Sequence, residues 1–468
     1  MELEKFEINK YLDLEEFKIR ISNSQLLKFF KKTYDRTVLI FNELQQNKKN
    51  NLQIVEEETN PILWQCGHIV YFYKKHCRYH FDINFENKSF LNNAFDFYDS
   101  FITKLEFRYD KNKLLNLDIL LDDYKNLFNI IYKKVESGEI TNKHKYVLML
   151  SILHNEMHIE ALIFTCLNMN YYLPNFISIK LTNLGLRIFN KTIINDIEFV
   201  KIKSGSFIQG SRSNSYYLSF DNERPVFRKY VDSLQMSKYP ITESQYLQFV
   251  LAGGYNLEDY WTEESWNWKL KNEINCPLYW QLDKLELRNT NYPVMNVSWY
   301  EAQAYCKWAG YRLPKEYEWE YVATNRGNTV FPWGDKMESK NCNLNYTING
   351  PLEIDDSRLS FENNKLGVKQ LIGNIWEWCE EPIYPYDGFS IDPIYREMSY
   401  PFFGFKKICR GGCFAVPDYL IHSRYRNAQM PDCRIQFIGF RVCIKKEEIN
   451  IKNIRKARRD KIQKIINL

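Results

Sequence analysis

Glycine is scarce in the first third of the sequence. Between residues 22 and 173 only Gly67 and Gly138 occur, which excludes an architecture of short strands and tight turns there. Closely spaced cysteine pairs are also missing. The 11 cysteines are an odd number, scattered from Cys66 to Cys443 without one CxxC, so neither a disulfide scaffold nor a zinc ribbon is expected, and a reducing, cytoplasmic setting is. No charge sign dominates: 63 basic and 58 acidic residues are intermixed for a net +5, unlike the one-sided basic surface of a nucleic-acid binder. The opening MELEKFEINK lacks the basic-then-apolar order of a signal peptide. One apolar run, residues 146–167, is long enough to span a bilayer, but it carries His154, Glu156, His158 and Glu160 near its centre. Each is costly in lipid, so a buried helix is expected and no membrane partner.

What is present is enough for two packed cores. At 468 residues the chain exceeds the ~250–300 residues at which one core stops growing. Apolar residues make up 45% and aromatics 16%, which excludes a disordered chain. Apolar residues at helical spacing predict four helices, at 24–46, 62–78, 114–136 and 142–169, with a less regular link at 79–113. After Pro174 the texture changes to alternating runs such as IEFVKIKSGSFIQGS, broken by Gly, Asn and Pro, and predicts strands and turns. Helices are expected there after Ser298, an N-cap, and after Leu313-Pro314. The fold class is therefore α+β: a helical bundle over residues 20–175, a strand-rich domain over 195–443, and a basic tail, 444–468, expected to be a solvated helix.

Only seven histidines occur, and two stand four apart in LHNEMHIEAL. On a helix, His154 and His158 lie about 40° apart around the axis and one turn apart along it, so one helix face offers two imidazoles to one metal. A zinc peptidase is excluded, because its general base follows the first histidine directly and here that place is Asn155. His68, in the apolar PILWQCGHIVYFYKK, is the natural third ligand, since a buried imidazole needs a partner. Three histidines without thiolate or carboxylate suit Fe(II), Zn(II) or Ni(II). Hydrogen bonding alone also accounts for a histidine pair at this spacing.

The sequence resembles a known pair of modules over residues 20–443. The first part looks like a DinB-like four-helix bundle. The second resembles the formylglycine-generating-enzyme fold, a C-type-lectin-like variant, through VSWYEAQAYCKWAGYRLPKEYEWEYVA, FPWGD, GNIWEWC, RGGCF, RYRN and GFRV in the family's order. Both modules together, with W-x-x-G-H and H-x-x-x-H-x-E, resemble the non-haem iron sulfoxide synthases EgtB and OvoA and the related selenoneine synthase SenA. The resemblance implies Fe(II) on His68, His154 and His158. It also implies O2-dependent joining of the imidazole ring of hercynine or histidine to a thiol or selenol donor, as in ergothioneine biosynthesis, and small-molecule partners only.

Family members use a tyrosine of the second domain as a proton or hydrogen donor. The matching segment is Tyr395-Arg396-Glu397-Met398-Ser399 before Pro401-Phe402-Phe403, which makes Tyr395 the implied catalytic residue, with Tyr384 and Tyr386 as rivals. Substrate residues carried over are Asn427, Gln429, Arg434, Met157 and Arg108. An R-N-W-D segment here reads Arg426-Asn427-Ala428-Gln429, lacking the acid that would meet a γ-glutamylcysteine ammonium, and Met157 replaces a glutamine. Asp99, Ser100 and Arg108 in FYDSFITKLEFRYD look like the SenA-like branch. The copper-binding cysteine pair of formylglycine-generating enzymes falls at Val416 and Ile421, with Cys413 displaced, so a sulfatase-activating role is not expected. The alternatives are a selenoneine or 5-histidylcysteine sulfoxide synthase, a DinB-type metal-dependent thiol transferase, and a non-catalytic lectin-like binding protein.

Overall fold

The computed structural model describes residues 19–46, 59–81, 95–171, 196–212, 217–348, 350–357 and 365–444. The junction expected at residue 195 and the basic tail from residue 445 lie outside them. The chain divides into two compact units, Met1–Ser178 with Ser211–Pro225 and Tyr386–Pro401, and Ile179–Gly210 with Val226–Pro385 and Phe402–Leu468.

Among the described residues the first unit is built on four α-helices, α1 (Asn23–Gln46), α2 (Ile62–Phe81), α3 (Leu117–Glu136) and α4 (Asn142–Asn168). Helix α1 buries one stripe, including Leu26, Phe30, Thr33, Thr37, Ile40, Phe41 and Leu44, as a surface helix of period 3.6 does. Helix α4 is buried on nearly all sides and packs against α1 and α2. It starts in a capping box in which Thr141 accepts from the His144 N–H and His144 accepts in return. This is the one helix among the described residues long and apolar enough to cross a membrane, and 83% of its apolar window is buried inside the protein. Its polar residues are matched as burial requires: Glu156 pairs with Arg36 and accepts from Thr33 at 2.5 Å, and Asn155 accepts from Tyr124 at 2.7 Å.

The second unit carries the sheets. Strands β1 (Phe199–Ile202), β4 (Leu234–Ser237), β10 (Cys443–Ile444) and β5 (Tyr311–Arg312) form one sheet in that order, all antiparallel. Strands β2 (Gly205–Gln209) and β3 (Phe227–Val231) form a second, and β8 (Asn427–Gln429), β7 (Lys407–Arg410), β6 (Trp376–Pro382) and β9 (Ile438–Gly439) a third, with β6 and β9 parallel. Among the described residues four short α-helices accompany them: α5 (Glu243–Leu251), α6 (Glu263–Lys271), α7 (Trp299–Ala309) and α8 (Glu316–Ala323). Ser298 caps α7 through a box with Glu301. Pro314 stands before the Lys315 N-cap of α8 and not within its first turn.

The ordered motifs of the sequence meet in this unit's core as ion pairs. Arg410 of RGGCF binds Glu316 at 3.0 Å and Glu320 at 2.7 Å. Arg426 of RYRN binds Glu316 at 2.6 Å, and Arg441 of GFRV binds Glu377 of GNIWEWC at 2.6 Å. All three guanidiniums are fully buried, so removing any partner would strand a charge without water. No disulfide is formed among the described residues.

The sequence texture alone predicts one domain from 195 to 443. The structure groups 211–225 and 386–401 with the helices instead. These stretches have the turn-rich texture of the strand domain, yet Tyr395 packs on Phe72 of α2 and His154 of α4, Asp392 binds Tyr146 of α4, and Asp221 binds Ser399.

Candidate metal centre

Helix α2 presents His68 and helix α4 presents His154 and His158. Each imidazole offers one ring nitrogen, and the three nitrogens lie within 4.8 Å of one another. Nε2 of His68 and Nε2 of His154 are 3.1 Å apart. Two nitrogens each ~2.1 Å from a shared ion are spaced by about 3–3.5 Å, so this separation fits one coordination sphere.

His68 is oriented from behind. Its Nδ1 lies 2.5 Å from the Tyr98 carbonyl oxygen, which only accepts, so Nδ1 carries the proton and Nε2 faces the other rings with its lone pair. The Trp64 indole stacks on the His68 ring at 4.8 Å and 12°, and the Arg108 guanidinium lies 4.1 Å over the Trp64 ring. Gly67 is required beside it: a Cβ there would stand 2.0 Å from the Tyr98 ring. On the α4 side, Phe72 stacks on His154 at 3.8 Å and 12°.

Burial governs the charge of the centre. It pushes His68 down to about 4. Burial first, and then the neighbouring imidazoles, hold His154 and His158 well below the usual histidine range. All three rings are therefore neutral at physiological pH, the form that binds metal. Nδ1 of His154 and Nδ1 of His158 are buried with no hydrogen-bond partner among the described residues, an arrangement that costs stability unless the rings have another function. A neutral three-imidazole set without carboxylate or thiolate fits a divalent ion of the Fe(II), Zn(II), Ni(II) group. It is the one metal-competent cluster found among the described residues.

Tyr395 joins this site, because 386–401 belongs to the histidine unit. Its ring centroid is 5.2 Å from that of His154 and 5.3 Å from that of Phe72, edge-on to both. Burial and the nearby Glu397 and Asp221 raise its phenol far above the usual range, so it holds its proton throughout physiological pH. The rival Tyr384 is 56% exposed and lies in the other unit. Met157 is half-buried on α4 beside His158.

Two expected substrate ligands have other commitments. Arg108 donates to the Thr103 carbonyl at 2.9 Å, Asn60 Oδ1 at 2.6 Å and the Ser100 carbonyl at 2.9 Å. With its position over the Trp64 ring, that makes it a brace for His68. Arg434 is locked in the second unit to Glu301 at 3.0 Å and to the Cys276 carbonyl, so its charge is neutralised. Asn427 and Gln429 stand half-buried on β8 of that unit, with Gln429 Nε2 3.4 Å from Asn427 Oδ1. Val416 and Ile421 are buried apolar residues.

Sequence reasoning missed the residues that hold these groups in place. Trp64 and Tyr98 orient His68, and Asp392, Asp221 and Tyr146 surround the Tyr395 loop. W-x-x-G-H carried a signal for Trp64; a carboxylate reached across 246 residues, as Asp392 is from Tyr146, carried none.

Comparison with known proteins agrees with the second unit's architecture. Residues 190–446 match the sulfatase-modifying factor enzyme 1-like domain. The chain is 31% identical over 242 residues to the hercynine oxygenase of Mycolicibacterium thermoresistibile, covering 48% of this chain and 53% of that one. It is 30% identical over 260 residues to the hercynine oxygenase of Mycolicibacterium smegmatis, covering 52% and 60%. To the formylglycine-generating enzyme of Mus musculus it is 27% identical over 287 residues, covering 52% and 74%. The matched stretches thus span only 53% to 60% of the two hercynine oxygenases.

Proposed function

The chain belongs to the family of proteins with a sulfatase-modifying factor enzyme 1-like domain, and from that premise we propose that it is a non-haem Fe(II), O2-dependent enzyme joining an imidazole ring to sulfur or selenium. The acceptor is hercynine or histidine, and the donor a thiol or selenol. One observation carries this: three neutral imidazoles, two of them buried and that of His158 half-buried, converge within 4.8 Å, and a protonated tyrosine stands edge-on to one of them. The name hercynine oxygenase, borne by relatives at about 30% identity, supports the acceptor and the use of oxygen.

His68, His154 and His158 would hold the iron. When bound there, iron(II) supplies one-electron chemistry toward dioxygen and affinity for a thiolate or selenolate donor. The protein's own groups set the conditions. Tyr98 and Trp64 fix His68 in the tautomer that presents Nε2. Tyr395 keeps its proton against a pH well above neutrality and delivers it at the site as a positioned general acid. Asn155, where a peptidase would have its base, is tied to Tyr124 and abstracts nothing.

The test is product formation. Fe(II)-loaded protein is incubated in air with hercynine or histidine together with cysteine, γ-glutamylcysteine or a selenosugar, and adducts are identified by mass. A C–S or C–Se adduct that disappears without O2 is expected. Turnover that survives strict removal of O2 would instead assign a metal-dependent thiol transferase, and no adduct with any pair would overturn the proposal.

A further inference from the structure

We propose that Asp392 is a positioning residue for Tyr395, holding its loop to the helix that carries His154 and His158. This rests on the proposal that Tyr395 works at the three-histidine centre. Asp392 is buried, and its two carboxylate oxygens do different things. Oδ1 accepts the backbone N–H of Ile394 at 2.8 Å and of Tyr395 at 3.2 Å, which fixes the turn from which the tyrosine side chain departs. Oδ2 accepts the hydroxyl of Tyr146 and lies 3.9 Å from the Arg224 guanidinium.

Tyr146 stands on α4 two helical turns before His154. One carboxylate therefore links the backbone of Tyr395 to the helix bearing two of the histidines. A second acid closes the loop from below: Asp221 accepts the Asp392 N–H at 3.1 Å and the hydroxyl of Ser399. Residues 392 and 399 are thus tied to one side chain, with Tyr395 between them. Catalytic groups act within narrow tolerances, and a displacement of about 1 Å costs on the order of 100-fold in rate. Tyr395 caps a single 3-10 turn, Arg396–Met398, and a segment held by no longer helix or strand reaches such tolerance only when its backbone is bound at several points.

The experiment uses the full chain with Asp392→Ala, Asp392→Asn and Tyr146→Phe, alone and combined with Tyr395→Phe. Three quantities are read: metal bound per chain, kcat and KM, and the 19F spectrum of 3-fluorotyrosine placed at position 395. Asp392→Ala is expected to leave metal content and KM unchanged and to lower kcat on the order of 100-fold. It should add nothing to Tyr395→Phe, and Asp392→Asn should restore most of the rate, because an amide oxygen still accepts both N–H groups. The single narrow 19F line of the parent should broaden or split in Asp392→Ala. If Asp392→Ala does not fold, Tyr146→Phe, which removes one hydroxyl, is expected to broaden the same line. An unchanged 19F line, or losses that add to those of Tyr395→Phe, would overturn the assignment. If no donor pair gives turnover, the functional proposal fails while the 19F comparison still decides the role of Asp392.

Discussion

At the scale of residues, the centre is a matter of which nitrogen carries which proton. The Tyr98 carbonyl accepts a hydrogen bond from the His68 Nδ1–H, and burial keeps all three rings neutral. The Trp64 ring stacked on His68, with the Arg108 guanidinium lying over Trp64, then limits rotation of the ligand ring. Arg108 performs this through three hydrogen bonds and one flat face, a combination lysine does not reproduce. Arg108→Lys is accordingly expected to weaken metal affinity about 10-fold, within the range for outer partners of a metal ligand, and to leave substrate KM unchanged. Metal titration and steady-state kinetics on the same preparation check both. The histidine trio was legible from i, i+4 spacing and the isolation of His68 in an apolar helix. The bracing by Arg108 was not, because its hydrogen bonds to Thr103, Asn60 and Ser100 depend on the irregular link folding back on itself and on the residues just before α2, which no local pattern encodes.

At the scale of elements, the four helices followed from scarce glycine and the 3.6-residue period. The ends differ by a few residues, α2 running on to Phe81 where the pattern pointed to residue 78. The Tyr395 loop shows what periodicity does not carry. It is short of regular structure, far in sequence from its partners, and held by Asp392 and Asp221. Asp221 also makes the loop sensitive to pH. Burial raises its carboxyl to about 6 from an ordinary 3.8, against the pull of Ser399. The folded state therefore binds the proton more tightly than the unfolded chain, and the stability this gives is present below pH ~4 and lost as pH rises through 6. The stability of the parent relative to Asp221→Asn is expected to fall by about 2 kcal/mol between pH 4 and pH 7. Denaturant melts of both proteins across that range measure it.

At the scale of the whole molecule, the chain combines two kinds of order. In the second unit, Arg410, Arg426, Arg441 and Arg434 are each paired with buried glutamates. The ordered motifs announced the fold, but whether their arginines serve packing or substrate became visible only once the partners were placed. In the first unit, two stretches distant in sequence, 211–225 and 386–401, join the helices: the second brings Tyr395 to His154, and the first holds the second through Asp221. No boundary drawn from local composition assigns them there, since their membership is defined by long-range pairs such as Tyr146 with Asp392 and Ser399 with Asp221. The most direct test of the central claim is anaerobic Fe(II) titration of the full chain and of His68→Ala, His154→Ala and His158→Ala, read as metal bound per chain. One equivalent for the parent and loss of that site in each variant is the predicted result; no saturable binding by the parent, or equal binding by all four proteins, would contradict it.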